Sequence, residues 1–484
     1  MIKMNNNSQS IHIKRDILIR LVKAFDSNEF EKNTAKIPFE MRPKGAEVPY
    51  RCCIYKEREI IKDRIIADLG FSIEPLDESE HLEDMAKASL ERKEIEANPL
   101  TVIEAACKGC VPSRVYVTDL CQGCVARACE KTCKFGAITI AGGKSHIDSS
   151  KCKNCGMCIN ACPYNAIVRL IVPCEQACPI GAISKGENGT ATIDFEKCIS
   201  CGKCVAACPF GAVNEKSHII DVLKAIKDGK KVVAMFAPAI AGQFPGSIYQ
   251  LKSAMKKAGF FDVLEVAQGA DITTKKESAE FVERMEQGAN FMTTSCCAGY
   301  NNFIEKHLPE IKPFVSDTKT PMYYTAEIVK EKYPDSISVF ISPCVAKRKE
   351  VQTNDKIDYV LNADELGAIF VGRKIEILEM EDSTYEYDSS RQARNFGVIG
   401  GVAAAVNSLL DEDEKANAYV IDGLTKDSIK QLKKYAKDGC CQDGNLVEVM
   451  CCEGGCIGGN SNIANPKIAK KIINSLLEKS NDLK

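Results

Sequence analysis

Cys152-Lys-Asn-Cys155-Gly-Met-Cys158-Ile-Asn-Ala-Cys162-Pro163 and Cys198-Ile-Ser-Cys201-Gly-Lys-Cys204-Val-Ala-Ala-Cys208-Pro209 repeat one pattern, C-x2-C-x2-C-x3-C-P. Cysteines this close wrap a short loop around an iron–sulfur cubane, and backbone N–H groups can face its sulfurs. Three of the four hold one [4Fe-4S] cluster and the fourth reaches the neighbouring one. A structural zinc site is the alternative that cysteine pairs offer. Two complete runs argue against it.

Working outward, Cys121, Cys124, Cys129 and Cys133 form a looser run of the same kind, C-x2-C-x4-C-x3-C. Four copies of one phrase mark an internal repeat. They are Cys133-Lys-Phe-Gly-Ala-Ile, Cys162-Pro-Tyr-Asn-Ala-Ile, Cys178-Pro-Ile-Gly-Ala-Ile and Cys208-Pro-Phe-Gly-Ala-Val. Each cysteine ends a loop and each Ala-Ile/Val is expected to begin a short strand. Four half-repeats make two ferredoxin-like modules. The crosswise rule assigns Cys121, Cys124, Cys129 and Cys162 to one cluster and Cys152, Cys155, Cys158 and Cys133 to its partner. In the second module Cys174 and Cys178 form the tail of a run whose first two cysteines are missing nearby. Cys107 and Cys110 are the unassigned pair of the region, and we assign them there. One cluster then takes Cys107, Cys110, Cys174 and Cys208, the other Cys198, Cys201, Cys204 and Cys178. The first module is inserted inside the second, and four accessory clusters use all 16 cysteines of residues 107–208.

The whole chain supports this chemistry. It has 26 cysteines and five histidines in 484 residues, a net charge of -2 and 45% hydrophobic residues. The near-neutral charge argues against nucleic-acid or membrane-surface partners. The opening MIKMNNNSQSIHIKRD has no apolar core of a signal peptide, and no stretch is long and apolar enough to span a bilayer. A cytoplasmic protein is the expectation. Its cysteines bind metal rather than pair as disulfides.

Three regions are expected. Residues 1–105 are charged and mostly helical, with an amphipathic helix Lys56–Leu69 stopped by Gly70 and an adjacent pair, Cys52 and Cys53, read as buried or merely reduced thiols. Residues 106–215 hold the clusters. Residues 216–484 read as α/β, with buried strands at Lys231–Ala237, Asp262–Val266, Phe291–Thr294 and Ser336–Ile341 and helices at Ser278–Glu286 and Thr325–Lys332. The fold class is therefore α+β and α/β, multidomain. Ferredoxin-like modules precede a catalytic domain of parallel sheets flanked by helices.

Three distant segments carry the remaining cysteine chemistry. They are Thr294-Ser295-Cys296-Cys297-Ala298-Gly299-Tyr300, Ser342-Pro343-Cys344-Val345-Ala346-Lys347 with Glu350, and Glu448-Val449-Met450-Cys451-Cys452-Glu453-Gly454-Gly455-Cys456-Ile457-Gly458-Gly459. Read alone they offer a further cluster site, with structural cysteines as the alternative. In order, they resemble the three signatures of the iron-only ([FeFe]) hydrogenases. The resemblance runs from about Cys174 to Lys484 and includes Glu215-Lys-Ser-His, Ala237-Pro238, Gly269-Ala-Asp271 and Gly397-Val-Ile-Gly-Gly401.

The resemblance implies an H-cluster: a cubane joined through one cysteine to a two-iron unit with CO, cyanide and a bridging dithiolate. By motif position Cys297, Cys344, Cys452 and Cys456 would hold the cubane, and Cys456 would bridge. Lys347 would donate to a cyanide. Met450 would pack beside the two-iron unit, with Ala237 and Pro238 on its other side. The family's proton relay would be Cys296, a water, Glu277, Ser316, Glu280 and Arg284. Glu277, Glu280 and Arg284 would share one helix face, a pattern that otherwise reads as solvated surface. Implied partners are H2 and protons, a ferredoxin or flavodoxin, and maturation proteins for the two-iron site.

Departures from the common family form touch the cofactor pocket and spare its ligands. They are Ala298-Gly299-Tyr300 for Pro-x-Trp, Ser342 for Met, Met322 for a Gln, Ala239 for a small hydroxyl residue, and an added thiol, Cys451. They suggest a divergent subgroup. A low-turnover hydrogen or redox sensor and a noncatalytic cluster-assembly relative are the competing functions. Without a Rossmann glycine fingerprint, direct NAD chemistry is not supported.

Overall fold

The computed structural model describes residues 8–483 apart from 46–48, 78, 108–109 and 113. Residues 1–7 of the opening segment lie outside it. The four repeated phrases share one conformation. The residue before each alanine takes a left-handed backbone: Gly136 at φ 58°, Asn165 at 51°, Gly181 at 67° and Gly211 at 56°. Glycine adopts this without penalty and asparagine tolerates it, which is why these two residue types stand there. The turn brings the alanine amide back onto the cysteine. Ala166, Ala182 and Ala212 donate N–H to the Sγ of Cys162, Cys178 and Cys208 at 3.4, 3.2 and 3.3 Å. The next residue enters a strand in each copy: Ile138–Ala141, Ile167–Leu170, Ile183–Lys185 and Val213–Glu215.

Strand pairing separates two modules. Arg114–Val117 pairs antiparallel with Ile167–Leu170, and Ile138–Ala141 with Lys144–Ile147. In the other module, Leu100–Val102 pairs with Val213–Glu215 and Ile183–Lys185 with Ala191–Ile193. The first module therefore lies, in sequence, inside the second. The strand Leu100–Val102 belongs to the cluster region although it precedes residue 106.

Two parallel sheets build the remainder. One has the order Asp262–Glu265, Val232–Phe236, Ile337–Ile341, Tyr359–Leu361. The other has the order Met292–Thr293, Leu446–Met450, Ala418–Asp422. Four of these strands are those expected from apolar runs. Tyr359–Leu361, Ala418–Asp422 and Leu446–Met450 are additional. The expected helix Ser278–Glu286 is the last half of a longer one, Ala267–Glu286, and Thr325–Lys332 lies within Pro321–Lys332.

Helices Gln9–Phe25, Phe30–Met41, Ile54–Asp68 and Leu82–Glu91 occupy the N-terminal region. Ile17, Leu18, Leu21 and Val22 join the same apolar core as Val232–Phe236 and Ile369, and Arg15 pairs with Asp364 at 2.7 Å. Gly70, at φ 95°, ends the third helix as expected. That helix is not amphipathic, however. Ile60, Ile61, Ile65 and Ile66 are buried together with Glu57, Arg64 and Asp68, because it is wedged between the other N-terminal helices and the strand Val213–Glu215. Arg64 donates to the Phe210 carbonyl at 3.1 Å across that junction. The adjacent thiols are not buried: Cys52 is exposed and Cys53 half-buried, with their sulfurs 3.9 Å apart. Among the described residues no helix is long and apolar enough to cross a membrane.

Candidate active site

Parallel sheets gather ligands beyond the carboxyl ends of their strands, and here every motif begins at such an end. Val232–Phe236 runs into Ala237-Pro238, Ile337–Ile341 into Ser342-Pro343-Cys344, Met292–Thr293 into Cys296-Cys297, and Leu446–Met450 into Cys451-Cys452. The loops bring Cys297, Cys344, Cys452 and Cys456 together. Burial raises the pKa of Cys344 and Cys456 to about 12, and the neighbouring thiols of the set add to the rise. Cys452 is pushed up the same way, facing Cys344, Cys297 and Cys456. Each thiolate would repel the others, and a cationic iron cluster is the partner that would stabilise all four. Among the described residues no three His, Cys, Asp or Glu side chains close on a point as the ligands of a single ion would. The donor set fits the cluster.

Apolar groups surround these thiols. Met450 packs with Phe396, Val402, Cys296 and Cys297. Opposite, the turn Pro238–Gly242 after Ala237 brings Ala239 against Val398, Ile457 and Cys456. Gly455 is held at φ 83°, and a Cβ there would stand 2.6 Å from the Ile399 nitrogen; only glycine lets the Cys456 loop pass. Burial works against the charge of Lys347, yet Glu350 and then Cys344 and Cys296 raise its pKa above the ordinary value. Its Nζ donates to Glu350 at 2.6 Å, and Glu350 accepts from Thr320 at 2.8 Å. Of the departures, Met322 is buried in the large apolar core and Ser342 is buried at its strand end.

From Cys296 a file of polar groups leads outward. Burial, and then Glu277, push the Cys296 thiol well up. Burial raises the pKa of Glu277 to about 8, with Glu280 the next cause. Glu277 is fully buried; neither of its oxygens meets hydrogen-bond geometry, though Ser316 and the Ser295 backbone lie near enough to pull its pKa down against burial. Beyond it Ser316 Oγ donates to Glu280 at 2.7 Å. Glu280 also accepts from the Asp317 amide at 2.8 Å and from Thr318 Oγ1 at 2.7 Å. Burial opposes its charge, but these bonds together with Arg284 hold its pKa below the ordinary value. Arg284 contacts Glu280 at 2.7 Å and exposed Asp317 at 2.8 Å. The Glu/Arg face is therefore buried at one end and open at the other. Glu448 was not singled out from the sequence. It is a fully buried carboxylate accepting from the Gly400 and Ala403 amides, both at 2.8 Å, and burial raises its pKa to about 7.

The accessory cysteines also assemble. Cys133, Cys152, Cys155 and Cys158 line one small cavity, and Cys178, Cys198, Cys201 and Cys204 line another. Cys174 is pushed up to about 12 by burial and by Cys208, with Cys107 and Cys110 adjacent. Cys107 accepts from the Ala191 amide at 3.1 Å. For the remaining set, Cys121 accepts from the Ser145 amide at 3.4 Å and Cys129 Sγ lies 3.8 Å from Ser145 Oγ; Cys129 packs in one cluster with Cys162, and Cys124 is half-buried. Cys451 turns away from the proton file. It packs in one core with Cys201 and Cys297, and the neighbourhood of the two thiols lowers the Cys201 pKa and raises that of Cys451.

Residues 230–460 match the family described as iron only hydrogenase large subunit, C-terminal domain, and residues 145–168 and 191–214 match the 4Fe-4S binding domain. The chain is 29% identical over 385 residues to iron hydrogenase 1 of Clostridium pasteurianum, covering 67% of this chain and 66% of that one. It is 27% identical over 421 residues to the NADP-reducing hydrogenase subunit HndD of Solidesulfovibrio fructosivorans, covering 72% and 64%. The chain thus spans just under two thirds of the length of these relatives. It is 26% identical over 127 residues to the cytosolic Fe-S cluster assembly factor NAR1 of Kluyveromyces lactis, covering 26% of each. Residues 230–460 thus carry the C-terminal domain of the iron-only hydrogenase large subunit, with 4Fe-4S binding domains before it.

Proposed function

We propose that the chain is an [FeFe] hydrogenase of the cytoplasm that interconverts two protons and two electrons with H2. The observation that carries the reading is the convergence of four thiols, Lys347 and Cys296 at one set of strand ends, with a polar file running from there to the surface. Cys297, Cys344, Cys452 and Cys456 would hold the H-cluster, with Ala237, Pro238 and Met450 shaping its pocket. When bound, the H-cluster supplies the redox-active iron site for H2 chemistry. The protein's part is position, charge and proton traffic. Lys347 keeps a buried positive charge beside the thiols, oriented by Glu350. Cys296 Sγ holds a proton on the inner side. Glu277, neutral at pH 7 through burial, takes or gives that proton, with a water in the gap its unpartnered oxygens leave. Ser316 passes it to Glu280, and Arg284 meets solvent.

Electrons would enter from a ferredoxin or flavodoxin and pass through four [4Fe-4S] clusters on the 16 cysteines of residues 107–208. Maturation proteins would install the two-iron unit. The test is a hydrogen assay, with reduced viologen and with ferredoxin, on chain expressed anaerobically alongside those proteins. Sustained H2 evolution supports the proposal. A fully loaded chain with only trace turnover would favour the sensor, and one that binds cubanes but never the two-iron unit would favour the assembly relative.

A further inference from the structure

We infer that a cavity where the N-terminal helices, the cluster region and the catalytic domain meet binds a small hydroxylated anion, of the hydroxycarboxylate or sugar-phosphate class. The cavity encloses about 460 Å³, the size of a small-molecule site. Ser10 and Lys14 reach it from helix Gln9–Phe25, Arg64 from helix Ile54–Asp68, Asn214 from the strand after Cys208, and Asn460 and Asn462 from the loop beyond Cys456. Two of these side chains are buried and carry a polar atom with no partner. Arg64 is 6% exposed. Its Nη2 donates to the Phe210 and Gly211 carbonyls at 3.1 and 3.3 Å, and its Nε is unsatisfied. Asn462 is 9% exposed. Its Nδ2 donates to the Cys456, Ile457 and Gly459 carbonyls at 3.1, 2.8 and 3.2 Å, and its Oδ1 is left without a donor. Buried polar groups are normally satisfied. An unmatched donor and an unmatched acceptor on one cavity call for a ligand that supplies both.

Charge sets the sign of that ligand. The acids nearby are taken. Glu215 lies 3.7 Å from Lys14 Nζ and accepts from Asn362 at 3.1 Å, and Asp364 pairs with Arg15 at 2.7 Å. Arg64 meets backbone carbonyls instead, and burial outweighs the attraction of Asp68, lowering its pKa to about 10. Helix Gln9–Phe25 also begins at the cavity. Ser8 gives its first amides no side-chain cap; Ser8 Oγ lies 3.1 Å from Ser10 Oγ instead. The positive end of a 17-residue helix therefore opens on the same space. Gly211 brings the two cationic walls together: a Cβ there would lie 2.7 Å from Arg64 Nη2 and 3.3 Å from Ser10 Cβ. An oxyanion between Arg64 and the helix start is held by charge-assisted bonds, and a hydroxyl on the same molecule donates to Asn462 Oδ1. Because Asn462 also fastens the loop carrying Cys456, the occupant touches the cluster region and the catalytic domain at once.

The test is isothermal titration calorimetry of the full chain, kept anaerobic with its iron–sulfur clusters, using glycerol 3-phosphate and malate as probes. Saturable binding of one molecule per chain is expected, and which of the two binds tells phosphate from carboxylate. Ethyl phosphate and succinate, which lack the hydroxyls, should bind more weakly than their hydroxylated counterparts. Arg64→Gln removes the guanidinium and should weaken binding about tenfold or more. Ser10→Glu guards against loss of fold. It sets a carboxylate beside Arg64 and in the first turn of the helix, where negative charge is favourable. This variant should melt higher than the wild type and lose the binding. No saturable binding of either probe up to about 10 mM would overturn the site. Binding that survives unchanged in both Arg64→Gln and Ser10→Glu would do the same. Equal affinity for the probes with and without hydroxyls would overturn the part given to Asn462.

Discussion

Replacing Glu277 by glutamine separates the physics of burial from the chemistry of the relay. Burial lifts this carboxyl from its ordinary 4.5 to about 8, a difference worth about 5 kcal/mol at 1.36 kcal/mol per pH unit. The folded-state pKa is raised, so folding retains a proton that the unfolded chain loses. The corresponding stability is fully present below about pH 4.5 and is lost progressively as pH rises through about 8. Glutamine keeps the shape without the charge. Glu277→Gln should therefore be more stable than the wild type at pH 9, by up to about 5 kcal/mol, with the advantage shrinking toward pH 5. Its hydrogen turnover should nevertheless drop about 10²–10⁴-fold, as for loss of a positioned acid–base group. The assays are urea unfolding midpoints of the cluster-loaded proteins at pH 5, 7 and 9, and H2 evolution from the same preparations. In the wild type, evolution should also decline as pH passes about 8, where Glu277 loses its proton. If wild type and variant lose stability with pH in parallel, Glu277 is not held neutral, and the relay through it fails as argued.

Further outcomes follow from other residues. Cys296→Ala removes a thiol but no metal bond, so CO and cyanide infrared bands should persist while turnover falls about 10²–10⁴-fold. Cys297→Ala should instead impair the cubane itself, and infrared occupancy against turnover distinguishes the two. Fully matured chain should contain about 22 irons, from four accessory cubanes and a six-iron H-cluster. A value near 18, unchanged in Cys107→Ala, would remove the Cys107/Cys110 cluster. Arg348 is 1% exposed and donates to both Glu365 oxygens, at 2.8 and 2.7 Å. Arg348→Ala would leave that carboxylate buried and unpaired, and should destabilise the protein by about 3–5 kcal/mol in a thermal or urea melt.

The parts of the fold legible in the sequence are those written locally. The turn after each cluster cysteine needs a left-handed residue, and Gly or Asn stands there four times. The apolar runs at Val232–Phe236 and Ile337–Ile341 could only be buried strands. Non-local pairing was less accessible. Leu100–Val102 meets Val213–Glu215 across more than a hundred intervening residues, and nothing in Leu-Thr-Val announces it. The N-terminal helices read only as charged and mostly helical because their charges dominate the composition. Yet Ile17, Leu21 and Val22 complete the apolar core around Val232–Phe236, and Arg15 finds its partner in Asp364. The strand Leu446–Met450 is buried on both faces despite carrying Glu448, whose charge hid it and whose donors lie in the loop and helix beginning at Gly400. Cys451 was visible as an extra thiol, but its direction depends on the bend after that strand and on space left by Gly299. Spacing carries neither.

Cys297, Cys344, Cys452 and Cys456 are proposed to hold an H-cluster. Infrared spectroscopy of anaerobically matured chain tests it most directly, because CO and cyanide ligands absorb where protein does not. Those bands should appear in the wild type and be lost in Cys456→Ala, with the accessory clusters retained in both. A wild-type chain with its full complement of cubanes, exposed to active maturation proteins and still free of CO and cyanide bands, would contradict it.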